Sequence, residues 1–344
     1  MSVNYTGVLM SRQKYRYDGV ILVGIVAYLS LFIGLHFWIH ADITTETLII
    51  RAFATLALLM LHVILCIGPL CRLNAVFLPL LYNRRHLGVS MFLMAAVHGI
   101  FSIVQFHAGG NVNPLVSVLT AGSRFPSAID FPFQPLGVVA LVILFLMAAT
   151  SHDFWLKNLS PRVWKSLHML VYVAYGLIVM HVVLGIIQLE KSPVLFSLLG
   201  IGLFTVIGLH LAAAIKTHLT DTAPSIQATD GYVLVGRIVD IPNKRAKIVH
   251  VGNESIAVFK YDGKLSAISN VCKHQNGPLG EGRITDDGCV TCPWHGYQYQ
   301  PQDGCSPPPF PEKVATYQLL KKGDEVWVNP KPFPEGTALP PVLY

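Results

Sequence analysis

Four residues in the C-terminal third have the types and spacing of an iron–sulfur ligand set. Cys272-Lys273-His274 is followed, after seventeen residues, by Cys292-Pro293-Trp294-His295-Gly296. Each short segment offers one thiolate and one imidazole. Two such segments facing each other can hold a [2Fe–2S] cluster, with thiolates on one iron and neutral imidazoles on the other. Replacing two thiolates by imidazoles removes negative charge and raises the reduction potential above that of an all-cysteine cluster. A structural zinc site uses the same donors, but zinc fingers pair Cys with Cys and His with His, whereas here each segment carries one of each.

The flanking residues extend the pattern. Asn276-Gly277-Pro278-Leu279-Gly280-Glu281-Gly282 follows the first pair. Gly296-Tyr297-Gln298-Tyr299, Asp303-Gly304 and Ser306-Pro307-Pro308 follow the second. This stretch, roughly Asp230–Asn329, resembles the Rieske family throughout. The resemblance implies one [2Fe–2S] cluster on Cys272, His274, Cys292 and His295, at the tip of a small all-β domain. The respiratory-complex type carries an extra Cys in each loop, paired as a disulfide. Here those places hold Gly277 (or a close neighbour) and Trp294, which points to the lower-potential ferredoxin or oxygenase-like branch.

These loops need a scaffold, and the sequence around them alternates as β structure does. Strands are expected over Tyr232–Val239, Ala246–Val251, Ser255–Tyr261 and Lys264–Ser269, with Asp262-Gly263 as a hairpin turn. Val326–Val328 reads as a closing strand, and the prolines at 307–309 and 311 as a rigid loop near the cluster. The expected domain covers 231–330. A polar, Thr-rich linker (216–230) precedes it, and a Pro-rich tail (331–344) follows, extended over a surface or loose.

The remainder has a different composition. With 53% hydrophobic and 13% charged residues over 344, the chain is not an average soluble protein. Residues 1–215 hold 12 Lys/Arg against 6 Asp/Glu, and residues 216–344 hold 13 against 13. The net +6 therefore belongs to the first part and gives no reason to expect nucleic acid as a partner. Cys66, Cys71, Cys289 and Cys305 form no disulfide framework and are expected as reduced thiols.

After a polar N-terminal segment (1–17), apolar runs occur at about 20–39, 52–71, 87–107, 136–151, 163–187 and 194–215. Each is long enough, or nearly so, to cross a bilayer at about 1.5 Å per residue. The first is too long for a signal peptide and lacks a cleavage site, so it is expected as a retained anchor. The fold class expected is an all-α six-helix transmembrane bundle (18–215) followed by the small all-β barrel. Nine Lys/Arg lie on the N-terminal side, at 12–16, 72–85 and 157–165, against Arg51, Arg124 and Lys191 on the other. That bias puts the N-terminus in the cytoplasm. Six crossings bring the cluster domain to the same side of a cell (inner) membrane.

Ten of the fourteen histidines lie in the membrane half. His36, His40, His107 and His152 fall near helix ends, where hydration explains them. His62, His98, His168, His181 and His210 are better placed, and ionisable groups at depth are functional candidates. His181 lies about 20 Å beyond His168 by helical rise, and His98 lies about 16 Å into its own helix, closer in level to His181. Two facing imidazoles at one level suit a six-coordinate haem b. Thirteen residues leave His168 and His181 about 140° apart on an ideal helix, so the helix bends or the two serve different groups.

Local residues add a family. Pro69-Leu70-Cys71-Arg72, Arg84-Arg85-His86-Leu87-Gly88, Phe92, Val97-His98, Ser151-His152-Asp153, Trp164, Leu167-His168, Tyr172 and His181 resemble the ferric-reductase-like transmembrane family. Within it, the resemblance leans to the haem subunits serving periplasmic methionine sulfoxide reductases. It covers about 50–190 and implies that His98, His168 and His181 are haem ligands. Oxidases of this family carry two histidines on each of the third and fifth helices. Here the third has no second one at a matching level unless His86 serves. The expectation is one haem between His98 and His181, and a second, less certain one on His168 with His62, His86 or His210. Arg85 and Arg162 sit where haem propionates would emerge, or act as ordinary positive-inside anchors.

Together these features imply a membrane oxidoreductase passing single electrons between a cytoplasmic cluster and intramembrane haem b. Electrons would reach an acceptor at the outer face or in the membrane. No Gly-x-Gly-x-x-Gly follows a strand, so a separate cytoplasmic reductase or ferredoxin is the expected donor. A Rieske-dependent membrane oxygenase would need two His and a carboxylate on a further iron, and the membrane half is poor in deep carboxylates. A redox-sensing or assembly subunit without turnover is the third reading.

Overall fold

The computed structural model describes residues 12–39, 43–74, 76–77, 80, 84–121, 132–151, 155, 159, 161–185, 193–221, 228–229, 231–252, 254–273, 277–293, 296–308 and 310–344. They form two compact units that divide between Ala213 and Ala214.

The first unit is helical: α1 (Arg12–Ile39), α2 (Thr45–Leu73), α3 (Arg84–His107), α4 (Pro114–Thr120), α5 (Phe133–Ala149), α6 (Pro161–Met169), α7 (Val171–Leu184) and α8 (Pro193–Asp221). Among the described residues, five helical stretches are long and apolar enough to cross a membrane: 15–39, 45–73, 84–107, 166–184 and 193–216. The fourth expected run is α5, a shorter apolar helix of 17 residues, about 25 Å at helical rise. α2 lies at the centre and packs on α1 and α3. Thr44 caps it, its hydroxyl accepting from the Thr47 amide at 3.3 Å. Leu56, Met60, Leu61 and Leu65 recur at helical spacing and meet Met91 of α3, Leu144 of α5, Ala174 of α7 and Val206 of α8.

Two differences from expectation concern helix ends. The fifth apolar run is not one helix: α6 and α7 are separated at Leu170, which has helical φ/ψ of −61° and −11° but forms a turn. The last helix continues to Asp221, past Lys216, because Lys216–Asp221 holds no helix breaker and the first proline is Pro224.

Beyond the end of α8, the strands of the second unit all pair antiparallel. Its strands are β1 (Ala228–Thr229), β2 (Tyr232–Arg237), β3 (Arg245–Val251), β4 (Glu254–Tyr261), β5 (Lys264–Ser269), β6 (Arg283–Ile284), β7 (Val290–Thr291), β8 (Gln298–Tyr299), β9 (Thr316–Tyr317), β10 (Leu319–Lys322), β11 (Glu325–Val328) and β12 (Val342–Leu343). One sheet runs β1-β2-β11-β10. A second runs β12-β5-β4-β3, with β9 also on β5, and a third is β6-β7-β8. Asp262 and Gly263 both have positive φ, 45° and 72°, which makes the two-residue turn between β4 and β5. Val235, Ile241, Ile256, Val258, Leu265 and Val326 fill one core, while a second lies beneath the ligand loops.

The Pro-rich tail is extended and tied down. Phe333 donates to the Thr316 carbonyl at 3.0 Å, Leu339 to Gln302 at 3.0 Å and Tyr344 to Gly263 at 3.1 Å, and β12 pairs with β5. Glu335 forms an ion pair with Lys273, between the first two expected cluster ligands.

Candidate redox sites

Cys272 follows β5 and Cys292 follows β7, and each opens a loop closed by its own backbone. The Cys272 amide donates to the Gly277 carbonyl at 2.9 Å, and the Cys292 amide donates to Tyr297 at 2.7 Å. Each closure joins a cysteine to the residue five positions later, so the two loops are built alike. Gly296 takes φ 72° in the second, a conformation that favours glycine. Both thiols are buried in one apolar cluster with Phe259, Leu279, Val290, Tyr299 and Val314. His274 and His295, with Trp294, lie outside the described residues.

Around the thiols the structure adds a residue that sequence spacing does not single out as functional. Tyr299, fully buried, places its hydroxyl 3.5 Å from Cys272 Sγ and accepts from the Lys273 amide at 3.1 Å. Burial, reinforced by the charge that Cys272 carries as thiolate, pushes the Tyr299 phenol well above its ordinary range. It therefore stays a donor, able to hydrogen-bond a metal-bound thiolate. Tyr297 packs 5.8 Å from the Tyr299 ring and 4.8 Å from Phe310. Its phenol is raised by burial and by its hydrogen bond to Glu312. Two deprotonable sulfurs, a phenol donor and a dry apolar floor suit a cluster ligated by Cys and His. Cys289 and Cys305 are free thiols, and burial first, then nearby carboxylates, raises both.

In the helical unit the structure brings His98 of α3 and His181 of α7 together, their ring centroids 6.3 Å apart and ring planes at 78°. His98 Nδ1 lies 3.2 Å from the Ile50 carbonyl of α2, and His181 Nδ1 lies 2.8 Å from the Phe133 carbonyl at the start of α5. Each carbonyl can only accept, so it fixes the proton on Nδ1 and leaves Nε2 with a lone pair. Two imidazoles in line on one metal, at about 2 Å per bond, place their centroids about 6 Å apart. The pair has that separation. Gly137 permits it from the side: a Cβ there would lie 2.8 Å from the His181 ring. The donor set, its tautomers and its spacing fit a six-coordinate haem.

The other histidines have separate partners. His168 stacks on Trp164 at 3.7 Å, its Nδ1 2.9 Å from the Trp164 carbonyl and its Nε2 3.4 Å from Ser151 Oγ. Arg85 donates to the Ser151 carbonyl at 3.2 Å, so it lies one residue from that contact. The three histidines considered as partners for His168 are paired elsewhere: His62 with Tyr175 at 3.0 Å, His86 with Asp18 at 2.9 Å and His210 with Tyr172 at 3.0 Å. His40, His152 and the Arg162 side chain lie outside the described residues. The Ile50 and Phe133 carbonyls left no signal in the sequence. Gly137 was visible there only as a glycine in an apolar helix.

Comparison with known proteins follows the same division. Residues 51–179 match the family described as ferric reductase like transmembrane component, and residues 231–318 match the Rieske [2Fe-2S] domain. The heme-binding subunit MsrQ of protein-methionine-sulfoxide reductase from Enterobacter sp. (strain 638) is 33% identical over 148 residues, 43% of this chain and 69% of the relative. The ferredoxin component of the alkene monooxygenase system of Xanthobacter autotrophicus is 29% identical over 118 residues, 34% of this chain and 97% of the relative. Cholesterol 7-desaturase nvd 1 of Ciona intestinalis is 32% identical over 107 residues, but these span only 23% of its length. The chain is a multi-pass membrane protein of the ferric-reductase-like transmembrane family, related to the heme-binding MsrQ subunits and joined to a C-terminal Rieske [2Fe-2S] domain.

Proposed function

We propose that this protein carries single electrons from a cytoplasmic donor across the membrane to an acceptor at the outer face or within the bilayer. One observation carries the reading: a haem-competent histidine pair inside an apolar bundle shares a chain with a buried two-cysteine cradle of Rieske sequence. Bound in these places, a [2Fe–2S] cluster and a haem b each supply a one-electron couple.

The chain's own residues do the rest. Cys272 and Cys292, with His274 and His295, hold the cluster. Tyr299 directs its hydroxyl proton at the Cys272 sulfur and favours the more negative, reduced form. The Ile50 and Phe133 carbonyls hold His98 and His181 in one tautomer and orientation. We assign one haem to this pair, because among the described residues no second imidazole faces His168. His168, stacked on Trp164 and one residue's reach from Arg85, lies nearer the cytoplasmic end by sequence level and is assigned to the entry side. The excess of Lys/Arg on the N-terminal side supports a cytoplasmic cluster domain. A soluble reductase or ferredoxin is the donor that this arrangement calls for.

Purified protein tests the reading directly. A reducible b-type spectrum is expected together with a Rieske-type paramagnetic signal. His98→Ala and His181→Ala should each remove most haem absorbance and leave the cluster signal. In sealed vesicles, reductant on the cluster side should reduce an impermeant acceptor on the other. Protein without haem absorbance, or with both cofactors but no transfer, defeats the proposal.

A further inference from the structure

Among the described residues of the helical unit, His62 and Tyr175 form a buried polar pair that the electron path leaves without a role. Both are buried, 5% and 7% exposed, with His62 Nε2 3.0 Å from the Tyr175 hydroxyl and the rings edge-to-face at 5.5 Å. His62 Nδ1 is buried and has no hydrogen-bond partner. Whichever tautomer forms, that nitrogen is unmet. A buried unpaired polar atom is destabilising, and an apolar ring of the same size would avoid the cost.

α8 packs closely against the His62 ring. α8 passes so close that a Cβ at Gly202 would lie between 2.3 and 2.5 Å from three atoms of the His62 ring. Leu199 and Val206 flank that glycine on α8 and are buried. The titratable groups near the pair are few. Tyr175 comes from α7, Cys66 lies one turn along α2 and acts on Tyr175, and α8 presents glycine and aliphatic side chains. Among the described residues, the one hydrogen bond of the His62 ring is that to Tyr175.

Position gives the pair its meaning. Tyr175 lies six residues before His181 on the same helix, about 9 Å along its axis. One turn the other way, Tyr172 meets His210 at 3.0 Å, and its ring is exposed at the bundle surface. The two Tyr–His pairs thus step from the surface of the bundle to its interior, towards the level of His98 and His181. An electron added at that level in an apolar bundle is poorly screened, and a positive charge nearby stabilises it.

We propose that His62 is a proton-accepting site coupled to reduction at the His98–His181 level, entered by way of Tyr172 and His210. When a haem held by His98 and His181 takes one electron from the reduced cluster, one proton from the aqueous phase would bond to a ring nitrogen of neutral His62 and make it the imidazolium; no other bond forms or breaks. The inference rests on the haem assignment above.

The test is a redox titration of the full-length protein, following the haem absorbance at several pH values. The wild type is expected to lose about tenfold in the reduction equilibrium per pH unit, about 59 mV for one electron. His62→Phe should keep the haem spectrum and abolish that dependence. Gly202→Ala, which displaces the ring rather than removing it, should weaken it. Infrared difference spectra of wild type with ring-labelled histidine should show one neutral ring becoming protonated on reduction. A wild-type potential that does not change with pH, a His62→Phe slope equal to wild type, or no such infrared change would each overturn the proposal. Absence of any haem spectrum would instead defeat the functional reading beneath it.

Discussion

The two halves of this molecule build redox sites in opposite ways. In the Rieske half, Cys272 and Cys292 each open a loop whose backbone closes on the residue five positions later. In the membrane half, His98 and His181 are 83 positions apart. Each is oriented by a carbonyl 48 residues away, on yet other helices. A local site depends on its loop and the small core beneath it. A dispersed site depends on the packing of α2, α3, α5 and α7 together.

That contrast can be broken most sharply at the cluster. Cys292→Ala should abolish the [2Fe–2S] signal and leave the haem spectrum unchanged, because the units are compact separately. Loss of both would show that the cradle supports the bundle after all. The converse is Gly137→Ala, where no ligand is touched. The added methyl would press on the His181 ring, and overpacking of this kind costs about 1–3 kcal/mol. Haem occupancy should fall severalfold with the cluster signal intact; full occupancy would mean that α5 moves freely. The smallest effect belongs to Tyr299→Phe. Losing one net hydrogen bond to the Cys272 sulfur, about 0.5–1.5 kcal/mol, should lower the cluster potential by about 20–60 mV. An unchanged potential in a paramagnetic titration would remove Tyr299 from the site.

The same contrast explains what the sequence disclosed. The cysteine–histidine spacing, the Asp262-Gly263 turn and strands such as β4 and β5 are local chemistry, legible from neighbours alone. Helical rise was enough to pair His98 with His181 by level, because depth along a spanning helix is nearly one-dimensional. It could not supply the Ile50 and Phe133 carbonyls, since which backbone atom faces a ring depends on how four helices pack. The interruption at Leu170 has no glycine or proline to mark it. The tail from Pro330 read as extended but not as tied, because its acceptors Gly263, Gln302 and Thr316 lie in two turns and a strand elsewhere in the domain. Tyr175 was passed over because an aromatic on an apolar helix face is ordinary core, and only His62 beside it makes the hydroxyl significant.

The pairing of β12 with β5 has a consequence for the order of events during synthesis. The helices leave the ribosome first and are committed to the bilayer while the ligand loops are still being made. Cys272 stands just past the end of β5, whose neighbour on one edge is residues 342–343, some seventy positions downstream. Between those two moments the strand beside the first ligand loop lacks its edge, and Lys273 lacks Glu335. A chain interrupted between them would carry the helical unit complete and the first ligand loop without its β12 edge and without the Glu335 partner of Lys273.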